Sequence, residues 1–250
     1  MKYYIFSALI FFCSSLFTPA IAQFEGQINY EISNPGESND RSNLDFTITE
    51  NRIFLGSRSS MNVMSGVSTN GILVRNDLQD FVFMTGENEA LKIAKEDIDA
   101  LVNLMNRVQG KSESAEQQSF NWDEKVEETG RERTMHGYTV KEFILNTEQE
   151  NQYVSVWLTD QINVNWGLLH DAWHTTGSKQ LSEQIPIELI MNRRSFPLLV
   201  EVYDNDEVVF RAESLSVNRQ NFDRSKTELS SSVKLLGFTD LMMNMFRQRR

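Results

Sequence analysis

The sequence predicts a mainly β protein, an α+β fold in which a curved antiparallel sheet wraps on a central helix and a short helix ends the chain. Three observations carry this. Apolar and polar residues alternate with period 2 along most of the chain. Turn-forming residues punctuate that alternation at short intervals. Helical spacing appears at residues 96–108 and again in the C-terminal tail.

The stretch Thr129–Asp160, TGRERTMHGYTVKEFILNTEQENQYVSVWLTD, shows the pattern most plainly: strand, turn, strand, acidic turn, strand. His136-Gly137 supplies a turn where φ can be positive, and Tyr138–Leu145 is rich in β-branched and aromatic residues. In the third strand Val154, Val156 and Leu158 point one way, and Tyr153, Ser155, Trp157 and Thr159 the other. A sheet apolar on one side and aromatic on the other must cover both sides or leave one for a ligand.

The chain opens with Lys2, an apolar run from Tyr3 to Phe17, and small residues at Ala20 and Ala22. This is the pattern of a signal peptide cut after Ala22, and the run falls short of the roughly 20 residues that a transmembrane helix needs. The expected product is periplasmic or secreted, with no transmembrane anchor after cleavage. Of 250 residues, removal of 22 leaves 228, and Cys13 leaves with them, so core packing without disulfides must hold the rest. A chain of this size fits one β domain, residues 23–250. The formal charge of −11 becomes −12 when Lys2 departs, which repels nucleic acid and anionic surfaces and argues against such partners.

In order, Phe24, Gly26, Ile28, Tyr30 and Ile32 alternate with polar residues as a first strand. Leu44, Phe46 and Ile48 repeat the pattern, and Arg52–Arg58 returns as a hairpin partner. Residues 59–70, SSMNVMSGVSTN, lack a period and read as a partly apolar loop. Short strands follow at Ile72–Arg75, Asp80–Thr85 and around Leu91 and Ile93. Ile98, Leu101, Val102, Met105 and Val108 then fall at helical spacing behind Glu96 and Asp97. Residues 110–119, GKSESAEQQS, read as a loop between two halves of one domain. Beyond the 129–160 meander come an aromatic segment at Asn163–Trp173, a loop at His174–Lys179, and strands at Ile187–Met191, Leu198–Tyr203 and Val208–Val217. Asp204–Glu207 turns the last pair, and Thr239 caps a helix through Phe246.

Chemistry-bearing motifs are sparse. His170 and His174 stand four apart, the spacing that puts two imidazoles on one helix face, but Asp171 occupies the place of the metalloprotease glutamate and no third ligand is evident. Two ordinary histidines on a polar loop are the simpler expectation, and His136 belongs to a turn. There is no cysteine after residue 13, no G-x-S-x-G elbow, no phosphate-cradling loop and no EF-hand. The acidic pairs Glu127-Glu128 and Asp204/Asp206 sit in solvated contexts. The protein is therefore expected to be no enzyme and to need no cofactor. What remains is soft and apolar: methionines, with Phe54, Met61, Met64, Met105, Tyr153, Trp157, Trp166 and Trp173 as candidates to line a site for an acyl chain.

The segments F-E-G-Q-I-N-Y-E-I after the signal, T-G-R-E-R-T-M-H-G-Y-T-V-K-E-F, V-W-L-T, and F-P-L-L-V-E-V with D-N-D-E-V-V-F are similar to exported envelope proteins of the domain-of-unknown-function 4412 family. That resemblance implies a curved antiparallel half-barrel wrapped on helices, like the lipoprotein-carrier fold of LolA and LolB, and no assigned activity. The Met-rich tail departs from the family's pattern. The expected function is an exported, non-enzymatic protein binding an apolar ligand, a lipid, acyl chain or lipidated protein, in the concave face of its sheet. The alternative is an envelope interaction or stress protein whose tail, residues 235–250, docks on a protein partner.

Overall fold

In the computed structural model, residues 23–35, 41–64, 67–100, 126–147, 150–176, 190–191 and 195–239 are described, with the side chains of 62–64, 67 and 173–176 outside that description. Among the described residues, twelve strands make one open, curved sheet. They are β1 (Gly26–Ser33), β2 (Arg41–Ile48), β3 (Arg52–Met64), β4 (Val67–Arg75), β5 (Asp80–Met84), β6 (Glu89–Ala94), β7 (Val126–Met135), β8 (Tyr138–Asn146), β9 (Gln152–Thr159), β10 (Phe196–Asp204), β11 (Glu207–Asn218) and β12 (Lys234–Gly237). Their spatial order is β12-β6-β5-β4-β3-β2-β1-β11-β10-β9-β8-β7.

Hairpins account for most of this order, and the turns follow from their residues. His136 (φ 52°) and Gly137 (φ 84°) both have positive φ, as do Asn205 (φ 49°) and Asp206 (φ 63°). Two consecutive positive-φ residues match the twist of tight hairpins, and Gly, Asn and Asp tolerate that geometry best. The connection no local pattern announces is β1 to β11, with Ile28 opposite Val217 and Ile32 opposite Ala212. It puts the 129–160 meander at one margin of the sheet, not its middle.

Four expectations need correction. Residues 59–64 and 67–70 are strand, not loop, because β3 and β4 continue their pairing past register shifts between Gly56 and Met61 and between Asn62 and Met64. Bulges of this kind scramble a period-2 pattern without ending the ladder. Residues 190–191 are helical where a strand was expected, and residues 174–176 prolong a helix where a loop was expected. Residues 234–237, expected to lead into a helix, form β12, which runs parallel to β6 in an otherwise antiparallel sheet. The helix expected at 96–108 is seen at 95–100; Met105 and the loop 110–119 lie outside the described residues, as does the tail beyond 239.

Alternation divides the side chains between two faces. The inner face carries Ile28, Tyr30, Ile48, Ile53, Val74, Phe81, Leu91, Ile93, Val154 and Val156 into the main core, with Trp166 and Leu168 at the start of the Gly167–Thr176 helix. A smaller apolar cluster, Leu73, Val82 and Ala90 with Phe54, lies on the outer face.

Tyr30 is buried in the main core, and its hydroxyl donates to the Pro197 carbonyl. Burial pushes its phenol well above the ordinary value of 10.0. The folded state thus holds this proton more tightly than the unfolded chain does. Its contribution is intact below pH 10 and is lost as pH rises further. Tyr30→Phe should flatten the fall of Tm above pH 10, measured by calorimetry, while costing about 1–3 kcal/mol below it because the carbonyl loses its donor. An unchanged alkaline limb would show that another group governs it.

Candidate functional site

Two surfaces of the sheet carry candidate features, one apolar and one polar. The apolar one is on the inner face where β1, β11 and β10 lie side by side. Ile32 stands opposite Ala212, Ala212 opposite Val200, and Val200 opposite Val156. One step along, Val202 stands opposite both Phe210 and Val154. Val154 and Val156 are buried, whereas Ile32, Val200, Val202, Phe210 and Ala212 are each only half-buried. These β-branched and aromatic residues follow directly from the period-2 patterns of the three strands. The result is a contiguous greasy strip about 10 Å across, from three strands spaced by about 4.8 Å.

The polar surface lies on the opposite side of β7 to β11. Glu142 on β8 and Glu201 on β10 are 4% and 6% exposed. Glu142 accepts from Ser155 Oγ at 3.0 Å and Thr129 Oγ1 at 2.8 Å, and the Arg131 guanidinium sits on the same carboxylate. Glu201 accepts from Arg211 Nε at 2.8 Å and from the Tyr203 hydroxyl at 3.1 Å. A row of charge thus runs across five strands, and every carboxylate oxygen in it has a donor. Tyr153 and Tyr203 stack beside it with centroids 4.6 Å apart, and burial, more than the nearby carboxylates, raises both phenols. The Arg133 guanidinium lies 4.0 Å over Trp157. His136 Nε2 donates to the Ser214 carbonyl at 2.8 Å, so the β7–β8 hairpin tip reaches in as far as β11. This surface is satisfied internally, an arrangement that fixes strand register more than it offers vacant ligand-binding groups.

The expected site residues divide between these surroundings. Trp166 is buried, its Nε1 donating to the Ser195 carbonyl at 3.2 Å and its ring stacked on Phe196. Tyr153 and Trp157 come together on the polar surface. Phe54, opposite Thr47 and Leu73, covers Gly56 and Gly71 on the outer face. It is five strand spacings from Tyr153, or about 24 Å along the sheet. Met61 is half-buried in β3, opposite Thr69. The side chains of Met64, Trp173 and His174, and all of Met105, lie outside the described residues. His170 and His174 share the Gly167–Thr176 helix, with His170 Nδ1 3.7 Å from the Asp171 carboxylate. Among the described residues no group of three or more His, Cys, Asp or Glu is placed to hold a metal.

Glu142 and Glu201 escaped the sequence reading, although each is a lone acid among apolar neighbours, in V-K-E-F-I-L and L-L-V-E-V-Y. A charge in such a run must find a partner on its face. The half-buried strip escaped for another reason: it requires β1 to lie against β11.

Among the described residues no helix is long and apolar enough to cross a membrane. No protein-family model matches the chain, the domain-of-unknown-function 4412 family included. No curated protein matches it at a significant level. Solved structures resemble it remotely. Two structures of PNGF-II share 13% and 12% identity, with TM-scores of 0.42 and 0.41 and coverage of 89% and 91% of this chain. The chain spans only 33% and 34% of their length. An uncharacterized conserved protein from Thermus thermophilus shares 6% identity at a TM-score of 0.41, covering 87% of this chain and 92% of its own. A LolA superfamily protein from Nitrosomonas europaea shares 10% identity at a TM-score of 0.27, covering 83% and 91%.

Proposed function

We propose that this is an exported, non-enzymatic protein that binds a lipid or acyl chain on the inner face of its sheet. One observation carries the reading: Ile32, Val200, Val202, Phe210 and Ala212 form one apolar strip, in register on three adjacent strands, that the protein leaves half-buried. A hydrocarbon chain laid across it gains roughly 25 cal/mol for each Å² of apolar surface removed from water. Removal of residues 1–22 and membership of the 4412 family belong to the same proposal.

The test uses protein expressed with its leader and purified from the exported fraction. Its N-terminus, read by mass spectrometry, should be Gln23. Organic extraction should release a lipid, and the delipidated protein should bind a fluorescent fatty acid saturably. Val202→Asp, which sets a charge in the strip, should weaken that binding at least tenfold with the fold retained. Equal affinity in the variant, or no saturable binding in either protein, removes the proposal.

A further inference from the structure

On the side of the sheet opposite the proposed lipid strip, the chain after β11 crosses β3 to β6 as a strap. Its start is pinned by charge. The Arg52 guanidinium grips Asp77 at 2.9 and 3.2 Å and, with its other nitrogen, donates to the Thr227 carbonyl at 3.1 Å and the Glu228 carboxylate at 2.6 Å. Arg224 pairs with Glu25 beside it. These groups line an open cleft of about 280 Å³. The middle of the strap is apolar: Leu229 and Val233 pack on the outer cluster of Leu73, Val82 and Ala90. Its end is a strand addition. The Lys234 amide donates to the Asn88 carbonyl at 2.9 Å, and Lys234–Gly237 runs parallel to β6 from Glu89 to Lys92.

Each attachment is weak alone. A four-residue strand at a sheet edge, paired in the parallel sense, gains little from hydrogen bonding. Lys234 and Leu235 face solvent, Leu235 at 40% exposure. The ion pairs sit in an open cleft where water and salt screen them. Thr227, at 1% exposure, and Leu236, half-buried against the main core, are its firmest anchors, and a segment with so few buried side chains and with exposed backbone hydrogen bonds is of the kind that opens first.

We infer that residues 223–237 open as a unit, and that their departure bares the β6 edge and the Leu73–Val82–Ala90 cluster for an extended aliphatic segment to add in their place. The strap is itself the template for that occupant: a strand pairing parallel to β6, preceded by aliphatic residues at the positions of Leu229 and Val233. Strand addition at an exposed edge takes its affinity from main-chain hydrogen bonds and its selectivity from such side chains. Arg52 is the latch, since it joins the strap's first turn to both the β2–β3 and β4–β5 ends of the sheet.

Native-state hydrogen exchange on the full chain, followed by mass spectrometry, tests this with Arg52→Met and, should that variant fail to fold, Glu228→Gln. Amides of 228–237 and the β6 amides bonded to them should exchange through one shared opening, faster than those of β3 and β4. Loss of the latch should make that opening about tenfold more frequent, the scale of a hydrogen bond to a charged group. A fluorescent peptide of residues 228–237 should bind the variant about tenfold more tightly than the native protein. Exchange of the strap only together with the whole sheet, equal acceleration of every strand, or equal peptide binding by both proteins would overturn the inference.

Discussion

Phe196→Ala should lower stability by about 3–5 kcal/mol, the cost of emptying a fully packed aromatic site. The ring is 1% exposed and sits where three parts of the chain converge. It stacks on Trp166 at 5.7 Å, meets Phe46 edge-on at 5.6 Å and lies tilted against Tyr30 at 6.0 Å. Those neighbours belong to the segment leading into the Gly167–Thr176 helix and to β2 and β1, so no single shift of one element can fill the void. For a chain of this size the expected drop in Tm is about 6–20 °C. Leu78→Ala, at a side chain 53% exposed, is the control and should change Tm by less than about 2 °C. A loss under about 1 kcal/mol at Phe196 would mean that the rings around it close up, and that the core is not organised about this residue.

Arg75→Ala should be about as damaging, for an electrostatic reason. Arg75 and Asp80 face each other across the β4–β5 hairpin, joined by two bonds of 2.6 and 2.7 Å with side chains 10% and 6% exposed. Removing the guanidinium leaves a buried carboxylate without its cation, a loss of about 3–5 kcal/mol. Replacing both residues by leucine should cost far less, within about 1 kcal/mol of the native protein, since apolar groups of similar volume need no desolvation. Urea unfolding of Arg75→Leu, Asp80→Leu and the double variant measures the difference as a coupling energy. Additive effects would show that the pair contributes nothing jointly. The hairpin also matters beyond itself. Asn76, the next residue, accepts from the Leu168 amide at 2.8 Å and donates to the Asn165 carbonyl at 3.0 Å, tying the turn to the start of the helix.

Local pattern revealed strands wherever the ladder is regular. β1 and β2 pair residue for residue from Gly26–Ile48 to Ser33–Arg41, and their alternation was plain in the sequence. It failed where the ladder shifts. Residues 59–70, with their serines, glycine and methionines, read as a loop, although Thr69 Oγ1 donates to the Gly71 carbonyl in its own strand and to the Met84 carbonyl, tying β4 to β5. β12 went unseen because its four residues lie too close to an apolar tail to show a period of their own. Of the two surfaces at the site, the split of β9 into an aliphatic and an aromatic face was legible, and the structure keeps it. Their partners were legible only in part: Glu142 reaches β9 through the hairpin that the meander predicts, whereas Glu201 and the β10–β11 strip meet β9 through the β9–β10 pairing, which tertiary structure decides.

The bond between Asn29 and Ser216 joins residues 187 apart in the chain, across the β1–β11 seam. A polypeptide delivered from its N-terminus, by a ribosome or through a secretion pore, therefore has nothing to complete its opening strand until position 218 has emerged. Contacts of such long sequence separation form late and slowly. Delivery over many seconds leaves greasy half-sheets uncovered meanwhile. Refolding of intact chains should be slow and sensitive to concentration, and guardian chaperones have the most to offer this protein before β11 arrives.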